Sequence, residues 1–167
     1  MIFDLQPVLR GTLVILRPLQ PADRDNLYAA ASDPLIWEQH PCKTRHEREE
    51  FDVFFDESLE SGGALAILDA ADDRILGSSR YHGVNLESSE VEIGWTFLAR
   101  SHWGGKYNGE VKQLMLGHAF QFVASVVFLV SPDNIRSRRA VEKIGGRREG
   151  YRPDASGRLS LVYRITR

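Results

Sequence analysis

Apolar positions along the chain change period several times, and each change marks an element. Residues 12 to 19, TLVILRPL, are apolar and β-branched, and they run into QPADRDNLYAAAS, where Pro21 and Asp23 mark a helix start. A second helix is expected in TRHEREEFDVFFDESLESGG, with Thr44 as its cap, Glu47 three residues on, Phe51, Phe54 and Phe55 on one face, and two glycines as the stop. The stretch ALAILDAADDRILGSSRYHG reads as two strands of an antiparallel hairpin joined by a tight acidic turn at Asp72 and Asp73. Strict alternation follows in SSEVEIGWTFLA, with Val91, Ile93, Trp95 and Phe97 on one face and Glu90, Glu92, Gly94 and Thr96 on the other. Two carboxylates therefore share a face.

From Tyr107 the period lengthens. Val111, Leu114, Met115, Ala119, Phe122 and Val123 recur at spacings of three and four, an apolar helical stripe on which His118 also lies. SVVFLVS, 125 to 131, is a buried strand, and DNIRSRRAVEKIGG a capped helix ending in Gly145 and Gly146. RREGYRPDASGRLSLVYRIT closes the chain as a strand pair around an Asp/Gly turn. The predicted order is β-α-α-β-β-β-α-β-α-β-β, a mixed α/β chain without internal repeat, linker or low-complexity tract.

Composition narrows the function classes. With 167 residues, 43% of them hydrophobic, one domain over 1–167 with a single core is expected, large enough to need neither disulfides nor a structural metal. The net charge of −2 is spread along the chain, which removes any sequence-wide case for nucleic acid or an anionic membrane. Local basic clusters such as Arg136, Arg138 and Arg139 still need explaining. The single cysteine, Cys42, excludes an intramolecular disulfide and fits a reducing compartment. MIFDLQPVLRG has neither a basic start nor a long apolar run, so the expectation is a cytoplasmic protein without a signal peptide or membrane span. The five histidines show no zinc-ligand spacing, and no metal is expected.

The stretch SHWGGKYNGEVKQ, 101 to 113, sits between a strand and a helix. The first N–H groups of a helix have no internal partners, and the helix dipole favours an anion there. Gly104 and Gly105 permit close backbone approach, Lys106 would add a charge, and Trp103 would wall the site. The same residues are also what a tight strand-to-helix turn needs. A nucleotide triphosphatase loop is excluded, because its longer glycine spacing and following Ser or Thr are missing.

Four pieces, LVILRPLQPADRDNLYAAASDP, VEIGWTFLARSHWGGKYNGE, SPDNIRSRRAVEKIGGRREG and LVYRIT, together resemble the GNAT superfamily of acyl-CoA-dependent N-acyltransferases, most of all its ribosomal-protein N-acetyltransferase branch. The resemblance implies a twisted mixed seven-stranded sheet with about four helices, splayed between strands four and five, with the cofactor's pantetheine arm in the gap. It implies acetyl-CoA as cosubstrate and an amine acceptor, either a small molecule or a protein N-terminus. Trp103, Gly104, Gly105, Lys106, Tyr107 and Asn108 would form the pyrophosphate loop. Aligned on Glu110, however, the family's loop pattern falls on Trp103, Lys106 and Asn108, none of which conforms; Lys106 would then reach the phosphates with its ammonium.

In the same resemblance, backbone N–H groups around Trp95, Thr96 and Phe97 would meet the developing oxyanion, given a bulge. Asn134 would bond the pantetheine arm and Arg139 the 3′-phosphate. Glu92 would lie near the amine, with Glu90 a weaker candidate. The tyrosine that many relatives use as acid falls on Val141 here, so Ser137 is assigned that role. Trp37 and His40 in LIWEQHP, with Tyr81 and His82, would line the acceptor side. A non-catalytic acyl-CoA-binding or regulatory domain is the alternative reading, and monomer and homodimer both stay open.

Overall fold

A computed structural model describes residues 2–167. The strands are β1 (Leu9–Arg10), β2 (Val14–Pro18), β3 (Ala64–Asp69), β4 (Ile75–Asn85), β5 (Glu90–Leu98), β6 (Ser125–Val130), β7 (Arg147–Pro153) and β8 (Leu159–Thr166). The helices are α1 (Arg24–Ala31), α2 (Arg48–Ser61), α3 (Lys106–Ala119) and α4 (Ile135–Lys143). All strands join one eight-stranded sheet in the order β1-β2-β3-β4-β5-β6-β8-β7. The additional strand is β1, whose two residues pair with Leu16 and Ile15; an element so short leaves no period in the sequence.

Every pairing is antiparallel except β5 with β6, and that one covers only Glu90 to Glu92 against Ser125 to Val127. From Ile93 onward the backbone N–H and C=O groups on that edge of β5 have no strand beside them. The expected splay between the family's fourth and fifth strands is this gap between β5 and β6.

The sheet carries a core on each face. On one, α3 lays Val111, Met115 and Ala119 on Val91, Ile93, Val126 and Phe128, which accounts for the predicted stripe. On the other, α1 and α2 cover Ala66, Leu68 and Phe97 with Leu27, Phe51, Phe54 and Phe55. Glu110 on α3 accepts hydrogen bonds from the N–H groups of Leu13 (2.8 Å) and Val14 (3.1 Å), tying α3 to the start of β2. Gly11 has to be small because the Glu110 carboxylate fills the space of its missing Cβ.

Thr44 does not cap α2. The helix starts at Arg48 after Glu47, and Thr44 belongs to a preceding turn in which its carbonyl accepts from Glu47 N–H at 2.9 Å. That turn carries Arg45 onto the rings of Phe54 and Trp37, a tertiary contact that overrides the local capping signal.

The alternation read in β5 holds only to Gly94. Arg80 pairs with Gly94 and Ser78 with Phe97, so Trp95 and Thr96 together face Ser79 alone, and Trp95 takes a φ of 54°. This is a β-bulge, and it inverts the faces of everything after it. Val91 and Ile93 pack under α3, whereas Trp95 and Phe97 join the α1/α2 layer with Glu92 and Gly94 behind them in the strand, contrary to the single apolar face expected.

Candidate active site

The bulge and the open edge of β5 define the site, and Glu92 stands beside both. Its carboxylate is half-buried and takes no hydrogen bond or ion pair from any described residue. Burial first, and the nearby Asp154 second, push its pKa up to about 7 against the opposing pull of Arg152 and Arg80. Glu90, two residues earlier on the same face, has the opposite character. Burial works against its charge, but Arg152 and Arg164, both at 2.9 Å, hold its carboxyl below the usual range. A shared face thus separates into one locked carboxylate and one free to exchange a proton near neutrality.

Beneath the bulge lies a group that periodicity alone did not single out. Lys112 on α3 is buried, donates to Thr96 Oγ1 at 2.9 Å and Asn108 Oδ1 at 3.3 Å, and has its pKa lowered to about 7 by that burial. Thr96 Oγ1 in turn shares a 2.7 Å hydrogen bond with Ser79 Oγ. The chain Lys112–Thr96–Ser79 clamps Thr96, one of the two residues of β5 that the bulge displaces, between α3 and β4. Its signal in the sequence was a lysine directly beside Val111 in an otherwise apolar stripe.

At the start of α3, Gly105 is the N-cap with φ 95°, and Gly104 before it has φ 118°. Both conformations favour glycine. Lys143, at the end of α4, places its Nζ 2.8 Å from the point a Cβ on Gly105 would occupy. The Lys143 ammonium therefore lies at the helix N-terminus, where a pyrophosphate is favoured, and Lys106 is the first residue of the helix. Trp103 donates from Nε1 to Leu98 O at 2.9 Å, and the Arg136 guanidinium stacks on its ring at 4.1 Å. Arg136 also donates its backbone N–H to Gln39 Oε1 at 3.0 Å, so it joins α4 to the loop before α2.

Asn134, buried just past the end of β6, caps α4 by accepting from Ser137 N–H at 3.3 Å. Ser137 sits half-buried in the first turn, and its hydroxyl has no partner among the described residues. Tyr107 packs edge-on against His102 at 4.7 Å, and Asn108 is committed to Lys112. Arg139 is exposed.

Two residues expected on the acceptor side are core instead. Tyr81 is 1% exposed and donates its hydroxyl to Met115 O at 2.6 Å under α3. It points through the sheet away from His82, as alternation along β4 requires. Trp37 is 3% exposed, with Nε1 donating to Ala31 O at 2.8 Å, and it reaches the site only through what it supports. The side chain of Phe97 is likewise buried, and its carbonyl turns towards Gly77 on β4 and away from the gap. His40 stacks edge-on over Trp37 at 5.3 Å and accepts Cys42 N–H on Nδ1. Burial, then Arg45 and Arg158, lower its pKa to about 3, so it is a neutral ring here. His82 stands opposite Glu92 in register, exposed, with its ring edge-on to Trp95 at 5.2 Å.

A mixed sheet splayed at one parallel pair, with a glycine-opened helix start beside the gap, defines a class of fold known from acyl-CoA-dependent transferases. The acetyltransferase (GNAT) domain matches residues 14–147, and the chain belongs to this family. Solved structures agree in fold. A GCN5-related N-acetyltransferase from Brucella melitensis superposes with TM-score 0.84 at 21% identity, over 96% of this chain and 79% of that one. An acetyltransferase from Agrobacterium tumefaciens gives 0.75 at 26% identity, over 96% and 95%. Mycobacterium smegmatis RimJ in complex with CoA-disulfide gives 0.70 at 21%, over 96% and 86%. No curated protein sequence matches the chain significantly.

Proposed function

We propose that the protein is an acetyl-CoA-dependent N-acetyltransferase that acetylates a primary amine by direct attack on the thioester. The observation that carries this reading is Glu92, an unpartnered carboxylate held near pKa 7 beside a bulged, open strand edge. A base poised there removes the proton that keeps an amine from attacking.

The residues fit acetyl-CoA. The start of α3 with Lys106 and Lys143 suits the pyrophosphate, the open edge of β5 suits the amides of a pantetheine arm, and the family resemblance assigns Asn134, at the start of α4, to that arm. When bound, acetyl-CoA supplies an activated acetyl group. The chain's own work is to hold the bulge by the Lys112–Thr96 bond, to present backbone N–H groups of β5 at the reacting carbonyl, and to accept the amine proton on Glu92. Ser137, with its free hydroxyl, is the proton donor on the α4 side.

A second reading, a non-catalytic acyl-CoA-binding domain, draws on Val141, a buried apolar residue where many relatives are expected to carry tyrosine. Turnover decides between them. An amine panel assayed for CoA release should show turnover that Glu92→Gln reduces by about 100-fold or more, while calorimetric acetyl-CoA binding is unchanged. Binding without turnover of any amine would establish the second reading.

A further inference from the structure

On the α1/α2 face of the sheet, next to Trp95, arginines from distant parts of the chain converge. Arg80 on β4 is 6% exposed. Its Nη2 donates to Ser58 Oγ at 2.8 Å, its guanidinium lies 4.2 Å from the Trp95 ring centre, and its Nε is buried with no partner. Ser58 spends its own proton on Phe54 O, so it serves Arg80 only as an acceptor. Arg45, from the turn before α2, lies 4.4 Å over Phe54 and 5.4 Å over Trp37, and its side chain has no hydrogen bond or ion pair with any described residue.

The charges repel. Burial and then Arg45 lower the pKa of Arg80 to about 10, and burial lowers that of Arg45, with Arg158 from the turn between β7 and β8 adding to it. The acidic groups facing them are Glu57 and Glu50, both exposed, and Glu92; none lies within ion-pair distance.

Arg17, Arg24, Arg48, Arg100, Arg152 and Arg164, all more exposed than Arg80, each pair with a carboxylate. A buried guanidinium left without a counter-charge costs stability. Flat stacking on aromatic rings fixes its plane while leaving N–H groups at the edge for an oxyanion. Arg80 also pairs in register with Gly94, the residue over which Glu92 leans, so the cationic cluster adjoins the proposed base.

We propose that the acceptor is a small primary amine that also carries an anionic group, a carboxylate or a phosphate, which Arg80 and Arg45 bind while the amine faces Glu92. The inference rests on the N-acetyltransferase reading for its amine half and on the arginine cluster alone for its anionic half. Arg158, exposed at the edge, meets the anion on entry. A compact molecule fits better than a polypeptide end, because Arg80 lies below the surface and pairs with Gly94, only two residues along β5 from Glu92.

The test compares matched acceptors: α-amino acids with their carboxamides, and aminoalkyl phosphates with the corresponding amino alcohols. Each is assayed for CoA release, and each anion for direct binding by calorimetry without acetyl-CoA. The variants are Arg80→Met and Arg45→Met; both remove an unpaired charge from an aromatic setting, and thermal melts verify folding. Wild type should prefer the anionic member of a pair by about 10- to 100-fold in kcat/KM, the usual worth of a charge-assisted hydrogen bond. That ratio should collapse towards one in both variants, and the carboxylate and phosphate arms identify the anion.

Equal turnover of acids and their neutral partners, or a preference unchanged in both variants, would overturn the inference while leaving the acetyltransferase reading intact. Acetylation confined to peptides would overturn the compact acceptor. Anion binding that both variants abolish, with no amine acetylated, would uphold the arginine site and overturn the transferase reading instead. Neither binding nor turnover would overturn both.

Discussion

The Glu92 carboxylate folds back over Gly94, bringing Oε2 within 3.1 Å of the point where a β-carbon on Gly94 would stand. The bare α-carbon is what lets the proposed base lean towards the bulge. Gly94→Ala should displace Glu92 and lower kcat by about tenfold or more, since misplacing a reacting group by an ångström has that effect. Because the clash is with the end of a flexible side chain, folding should survive with a Tm change of only a few degrees. Steady-state kinetics and thermal melts check the two halves separately.

Glu92 also sets a pH dependence. With its pKa raised from 4.5 to about 7, kcat/KM should climb through pH 7 to a plateau, and Glu92→Gln should be slow and lack that limb. Stability moves the other way. The folded state holds this proton more tightly than the unfolded one, so the contribution is fully present below pH 4.5 and is lost as pH rises through about 7. Wild type should lose Tm relative to Glu92→Gln across that window.

Lys112 gives the opposite slope. Its pKa falls from 10.5 unfolded to about 7 folded, so between those values the unfolded state binds more protons and stability rises with pH. Lys112→Met should flatten that rise and melt above wild type at pH 6, where the buried charge is most costly. It should nevertheless lose turnover by about tenfold, because Thr96 is released from its clamp at the bulge. Melts from pH 6 to 10 with parallel assays would show both effects.

Lys106 and Lys143 should act on cofactor affinity and not on chemistry. Alanine at either position should raise the Kd of acetyl-CoA by roughly three- to tenfold, with the loss shrinking as salt screens the phosphates. Gly105→Ala should do worse, because the φ of 95° is strained for alanine and the new β-carbon meets Lys143 Nζ. Calorimetric titration at two salt concentrations measures all three.

Most elements were legible because they are local. The stripe on α3, the acidic hairpin turn at Asp72 and Asp73, and the glycine stop of α2 all follow from the spacing of neighbouring residues, and four quoted segments in family order were enough to expect a splayed sheet. Glu92 was visible as one of two carboxylates on a shared face. Its difference from Glu90 was not, since the arginines that neutralise Glu90 come from β7 and β8, more than sixty residues on.

The sequence by itself determined the order of strands and helices and the presence of a glycine-opened helix start, because periodicity and backbone freedom act within a few residues. Tertiary structure decided the rest. It put the bulge at Trp95, which sends Phe97 to the α1/α2 layer and leaves Glu92 over Gly94. It buried Tyr81 and Trp37, moved the start of α2 past Thr44, and brought Lys112 under Thr96 and Arg45 beside Arg80. Each of these depends on which strand pairs where and what then covers it, and those contacts join residues that no local spacing relates.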